Sequence, residues 1–299
     1  MSRTVLAVLN RPSNSAAPRD PAAPLFSFAD PLRPQLNVQD LGVTRGDGIF
    51  ESISVVRGIP HALEAHLARF THSAEVLELP APDLATWRQA IRAVVERLDP
   101  VAEGFVRAVL TRGVEGDARP TGWVFASVST DHSVARTRGV RVVLLDRGLR
   151  HDVGRTSPWL LSGAKTLSYA VNRAALREAA RRNADDVLFV SSDGFVLEGP
   201  TSSLIYLRDG QLRTPATESG ILEGTTQGDA FQWARQRGLG TGFELLTPIE
   251  LGHTDAAWLV SSGRLAVPIR VLDGRPHPVR ADMTADLNGY LLTREASVG

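Results

Sequence analysis

The chain has 299 residues and 32.3 kDa, a length that suggests two domains. Its 33 basic and 33 acidic residues cancel, which removes the electrostatic case for nucleic acid or an anionic membrane as partner. It has no cysteine, so disulfides, thiolate metal sites and a Cys nucleophile are excluded.

No stretch approaches the roughly 20 apolar residues of a membrane span. The opening MSRTVLAVLNRPSNS has too short an apolar run for a secretory signal, so a cytoplasmic globular protein is expected. A strand is predicted over 4–9 and a Pro/Ser/Ala surface loop over 11–24. GIFESISVV alternates like a strand over 48–56, and Arg57-Gly58 follows as a turn. Leu63, Leu67, Phe70, Ala74 and Leu77 recur at helical spacing until Pro80 and Pro82. Asp83 caps a second helix with Leu84, Trp87, Ile91, Val94 and Leu98 on one face. Strands are expected over 105–111, 123–129 and 140–145.

The periodic pattern lapses at 147–157, read as an interdomain linker between an N-terminal α+β domain, 1–146, and a C-terminal α+β domain, 158–299. The second half predicts a helix over 169–182 and strands over 187–191 and 195–198, joined at Asp193-Gly194. Asp209-Gly210 and Asp273-Gly274 mark two more hairpin turns. Helices are expected at 226–237 and 282–294. Short strands with interspersed helices and no regular βαβ alternation argue for α+β domains rather than a Rossmann sheet.

Of the 33 basic residues, one is lysine, Lys165, and the other 32 are arginine. An amine can lose its proton and attack a carbonyl, which a guanidinium cannot do. Chance survival of a surface lysine is the alternative. Lys165 sits in SGAKTLSYAVN just before a helix. Glu198 ends a predicted hairpin and runs into Gly-Pro-Thr-Ser-Ser. Gly224, Thr225 and Thr226 stand at a helix start, where backbone N–H groups suit a phosphate. Arg69, in HLARF, offers a fork for the same dianion. Each also has an ordinary reading: Glu198 as a strand-end carboxylate, Gly224-Thr225-Thr226 as a helix cap, Arg69 as a surface charge. Together, a lysine, a carboxylate and a phosphate cup are what pyridoxal phosphate needs. His61, His66 and His72 lack the i, i+4 spacing of a helical metal site and read as structural. Ser191, Ser202 and Ser203 lack a Gly-x-Ser-x-Gly frame, which argues against a serine hydrolase. Arg107, inward-alternating in GFVRAVLTRG, is a candidate for a substrate carboxylate, with a surface strand arginine as the other reading.

Four blocks carry a resemblance: DLGVTRGDGIFESI with HLARFTHSAEVL, then AKTLSYAVN, DDVLFVSSDGFVLEGPTSSLIY and GILEGTTQ. In their order and spacing, from about Asp40 to Ile269, the chain resembles the class IV, fold-type IV pyridoxal-phosphate enzymes. These comprise branched-chain and D-amino acid aminotransferases, (R)-selective amine transaminases and 4-amino-4-deoxychorismate lyases. The resemblance implies a two-domain α+β fold of the D-amino acid aminotransferase type, each domain a mixed sheet or small barrel with flanking helices.

It implies pyridoxal 5'-phosphate as cofactor, with Lys165 forming the internal aldimine and shuttling the proton. Glu198 would pair with the pyridinium nitrogen and Tyr169 would lie near the ring hydroxyl. Arg69, Thr225, Thr226 and Ser262 would hold the phosphate, although many relatives carry Gly-Thr where this chain has Ser261-Ser262. Ser203 replaces an asparagine of the branched-chain enzymes. The expected reaction is transamination between an amino acid or amine and a 2-oxo acid, in a homodimer whose partners are small molecules. The alternative is an aminodeoxychorismate lyase of the folate pathway, releasing pyruvate and 4-aminobenzoate, since the KTLSYAVN and VLEGPTSS wording looks closer to that branch.

Overall fold

A computed structural model describes residues 3–14 and 22–293; positions 15–21 of the expected surface loop lie outside the described residues. Contacts divide the described chain into two compact units. The first comprises 3–14, 22–130 and 164–169, and the second 131–163 and 170–293.

The first unit contains β1 (Thr4–Leu9), β2 (Phe26–Ala29), α1 (Leu41–Thr44), β3 (Gly48–Val56), β4 (Ile59–Pro60), α2 (Leu63–Val76), α3 (Leu84–Arg97), β5 (Glu103–Thr111) and β6 (Thr121–Val128). The strands form a six-stranded sheet in the order β2-β1-β6-β5-β3-β4, antiparallel throughout. Period-two alternation gives this sheet two unlike faces. Ile49, Ile53, Val106, Leu110, Val124 and Ala126 are buried on one face, where α2 and α3 pack. Phe50, Ser52, Phe105, Arg107 and Phe125 occupy the other, more open face. The Asp83 cap forms as expected, its carboxylate accepting the Thr86 N–H at 3.4 Å. Phe70 and Trp87 meet edge-on at 4.8 Å beneath the sheet.

The second unit runs through α4 (Ser133–Arg138), β7 (Val140–Asp146), α5 (Val153–Thr156), α6 (Ala170–Arg181), β8 (Asp186–Val190), β9 (Ser203–Arg208) and β10 (Gln211–Pro215). It continues with α7 (Thr225–Gln236), β11 (Gly240–Glu244), α8 (Pro248–Gly252), β12 (Ala256–Ser261), β13 (Leu265–Leu272), β14 (Arg275–Pro276) and α9 (Ala281–Thr293). Its mixed sheet has the order β11-β10-β9-β12-β13-β7-β8, with β14 on β13. The β10–β11, β13–β7 and β7–β8 pairs are parallel. The central strands are buried on both faces, as such sheets require. Ile205, Trp258 and Val260 pack with Phe231 of α7 and Leu287 of α9 on one side. Leu204, Tyr206, Leu259 and Val267 form the core on the other.

Three expectations differ from this architecture. The unit boundary falls at 130 rather than 146, because β7 finds its partners in β8 and β13. Its apolar run VRVVLL suits a strand covered on both faces rather than one on the edge of the antiparallel sheet. Segment 147–157 accordingly lies within the second unit and carries α5. The predicted strand over 195–198 reduces to one bridge, Val190 to Val196. The turn at Asp193-Gly194 does form, with Gly194 at φ +94 and the Ser191 N–H donating to the Phe195 carbonyl at 2.7 Å. Among the described residues no helix is long and apolar enough to cross a membrane.

Candidate functional site

Lys165 belongs to the first unit, although the sequence assigns it to the C-terminal half. Its segment runs beside β3: the Phe50 N–H donates to the Lys165 carbonyl at 3.0 Å, and the Leu167 N–H to the Gly48 carbonyl at 2.8 Å. The Lys165 N–H donates to the buried Ser73 Oγ on α2 at 3.1 Å. This close approach demands Gly48, where a Cβ would stand 2.7 Å from the Leu110 carbonyl oxygen and 2.8 Å from Leu167 Cδ1. With its backbone held at both ends, Lys165 lays its Nζ 4.6 Å from the centroid of the Phe50 ring. Tyr169 meets the same ring edge-on at 5.5 Å. The sequence reading picked out Lys165 and Tyr169 but not Phe50, the ring that both contact.

Arg107 does not turn inward. On β5, Val106 and Ala108 are buried and Arg107 is exposed. Its cross-strand neighbours are Ser52 on β3 and Phe125 on β6, which puts it on the face that carries Phe50. Phe50 lies two residues from Ser52, a separation of roughly 7 Å along the strand. The alternation was legible, but one residue of parity decides the face.

Arg69 is no free surface charge. Glu51, only 1% exposed, receives Arg69 Nε at 2.8 Å on Oε1 and Nη2 at 2.7 Å on Oε2. The fully buried His66 stands with Nδ1 2.7 Å from the same Oε2. Burial opposes ionisation of Glu51. The Arg69 charge and fork, aided by His66, outweigh it and hold the carboxyl far below the usual carboxylate range. Glu51 escaped the sequence reading, yet a signal was available: in GIFESISVV it shares the parity of Ile49 and Ile53. A carboxylate on a core-facing position requires a cation, and Arg69 is that cation.

In the second unit, Glu198 follows the Asp193-Gly194 turn, and its Oε1 accepts the Leu222 N–H at 3.1 Å. Two residues on, Gly224 forms the N-cap of α7 without a side-chain cap. A Cβ on Gly224 would stand 2.3 Å from Ser203 Oγ, so a larger residue there would have to push that hydroxyl aside. Thr225 opens α7, and the Thr226 and Ser262 hydroxyls, both buried, lie 3.5 Å apart. The structure thus gathers Thr225, Thr226 and Ser262 about one helix N-terminus. The amide dipoles there carry partial positive charge, and the hydroxyls add neutral donors.

The amino-transferase class IV model matches residues 48–272. A bifunctional aminodeoxychorismate lyase / D-amino acid transaminase of Mycobacterium tuberculosis is 43% identical over 269 residues, covering 86% of this chain and 93% of that protein. A fold IV transaminase from Curtobacterium pusillum superposes with a TM-score of 0.93 at 53% identity, covering 98% of this chain and all (100%) of the other. A hypothetical aminotransferase from Mycobacterium tuberculosis, in its PLP-bound form, gives 0.87 at 39% identity over 97% of this chain and 99% of its own. With the model spanning most of both units and these relatives spanning nearly the whole chain, the protein belongs to the class IV aminotransferases and has the fold of the fold IV transaminases.

Proposed function

We propose that this transaminase uses pyridoxal 5'-phosphate to move an amino group between an amino acid or amine and a 2-oxo acid. The observation that carries the reading is Lys165: the chain's only lysine, backbone-bonded to β3 and α2, with its amine against Phe50. The residues present fit the cofactor. The N-terminus of α7, which the Gly224 N-cap leaves without a side-chain cap, the facing Thr226 and Ser262 hydroxyls and the close approach of Ser203 to Gly224 form a donor set suited to a phosphate. When bound, the cofactor supplies an aldehyde that condenses with amines and a ring that accepts the electron pair left at Cα.

The chain's residues do the rest. Lys165 Nζ holds the cofactor and then carries the Cα proton. Glu198, oriented by the Leu222 N–H, keeps the ring nitrogen protonated. On this reading Thr225, Thr226 and Ser262 would hold the phosphate, with Arg69 as a further candidate, and Tyr169 would serve the ring hydroxyl. Arg107, exposed on the Phe50 face, receives a substrate carboxylate. The same reading makes the enzyme a cytoplasmic homodimer, and sedimentation at twice the 32.3 kDa chain mass tests the dimer.

Lys165→Arg tests the assignment, because a guanidinium keeps the charge but cannot condense with an aldehyde. Borohydride reduction and peptide mapping should find the cofactor on Lys165, and full activity in the variant would overturn the reading. A second reading, lyase activity on aminodeoxychorismate, is favoured by the name of the 43% identical relative. Pyruvate release without an added 2-oxo acid acceptor would establish it.

A further inference from the structure

The turn that presents Ser262 is held from outside by the side chain of Arg264. After β12 the chain turns through Ser262-Gly263-Arg264, and Leu265 opens β13 at φ +59, a conformation that side-chain-bearing residues adopt only under constraint. Three contacts supply that constraint. The Arg264 N–H donates to Ser261 Oγ at 3.3 Å, and Arg136 Nε donates to the Arg264 carbonyl at 3.0 Å. The third is the guanidinium itself, whose Nη2 lies 2.5 Å from Asp186 Oδ2 and donates to Ser202 Oγ at 3.3 Å.

Asp186 is 1% exposed, and its Oδ1 accepts the Val187 N–H at 2.8 Å. Its Oδ2 meets Arg264 at ion-pair distance, outside hydrogen-bond geometry. A carboxylate buried at a strand start is costly, and an apolar residue of similar size would hold the sheet as well. Its pairing fixes the position of Arg264 instead. One guanidinium thereby joins the start of β8, the end of the Glu198-to-Ser202 loop and the turn carrying Ser262. Ser202 adjoins Ser203, whose hydroxyl closes on Gly224 at the α7 N-terminus.

We propose that Arg264, anchored by Asp186, is a positioning residue for the cofactor phosphate: it keeps the Ser262 hydroxyl beside Thr226 without touching the phosphate itself. This rests on the reading that Thr226 and Ser262 hold the phosphate, so the test must separate the two. The full-length chain is stripped of cofactor and titrated, by absorbance and tryptophan fluorescence, with pyridoxal 5'-phosphate and with pyridoxal, which lacks the phosphate. R264M should raise the dissociation constant for the phosphorylated cofactor by up to about fivefold, the worth of one misplaced hydroxyl contact, and leave that for pyridoxal nearly unchanged. D186N should act in the same direction. R264K should fall between, since an ammonium keeps the charge but cannot span Asp186 and Ser202. If R264M does not fold, R264K carries the same comparison.

Equal weakening of both ligands would overturn the proposal in favour of a general structural role, and unchanged binding of both would also overturn it. T226V is the control. If T226V lowers phosphate selectivity and R264M does not, the cradle stands and the positioning role falls. If neither lowers it, the phosphate reading itself falls.

Discussion

Arg69 and the N-terminus of α7 are both candidates for the same dianion, and they are held by opposite means. Arg69 is a full charge locked to another full charge, the buried Glu51. At α7 the set is built instead from backbone amides, the hydroxyls of Thr225, Thr226 and Ser262, and a glycine. The difference teaches where each region is fragile. A buried ion pair is costly to break and responds to pH, because one partner's loss strands the other in a poor solvent for ions. A neutral cradle is cheap to perturb and indifferent to pH, since each hydroxyl contributes little and none titrates in the working range.

The strongest way to break the contrast is Glu51→Ala. It leaves Arg69 and His66 without their shared carboxylate, and a loss of about 3–5 kcal/mol is expected in urea unfolding. Because the folded Glu51 lies below its unfolded value of about 4.3, its contribution is complete above that value. It is lost as pH falls through 4 toward the folded value. Glu51→Gln should therefore flatten the acid limb of a stability profile measured from pH 7 down to 3. An acid limb unchanged from wild type would remove Glu51 from the account of acid sensitivity.

Glu198→Gln keeps size and loses charge, so it should bind cofactor nearly normally yet slow the half-reaction about a hundredfold. Single-turnover kinetics on fully loaded protein measure this, with Glu198→Asp expected between the two. Arg69→Ala should act on retention rather than chemistry. Losing one charge-assisted contact of about 1.5–3 kcal/mol raises the cofactor dissociation constant roughly ten- to hundredfold. Unchanged affinity would assign the Arg69–Glu51 pair to folding alone. The smallest effect belongs to the neutral region, where Thr226→Val should cost about 1 kcal/mol in cofactor affinity, equally at pH 7 and pH 8, where the phosphate is mainly the dianion. A pH-dependent loss there would blur the contrast.

Much of this molecule was legible because local energetics write themselves into short windows. The spacing of Leu63, Leu67, Phe70 and Ala74 is a buried helix face, Asp83 is a cap whose carboxylate reaches three residues on, and Asp193-Gly194, Asp209-Gly210 and Asp273-Gly274 each turn the chain. The lone lysine was visible by counting. Tertiary structure alone decided the rest, since each remaining choice depends on residues far apart in the chain. β7 reads like any apolar strand until β8 and β13 compete for it in parallel. Lys165 leaves the half to which its position in the sequence assigns it because Gly48 lets its backbone run against β3. Arg107 and Glu51 show the reason most plainly: on a strand one step of parity separates core from open face, and a charge turned to the core is stable only if a distant residue such as Arg69 arrives to meet it.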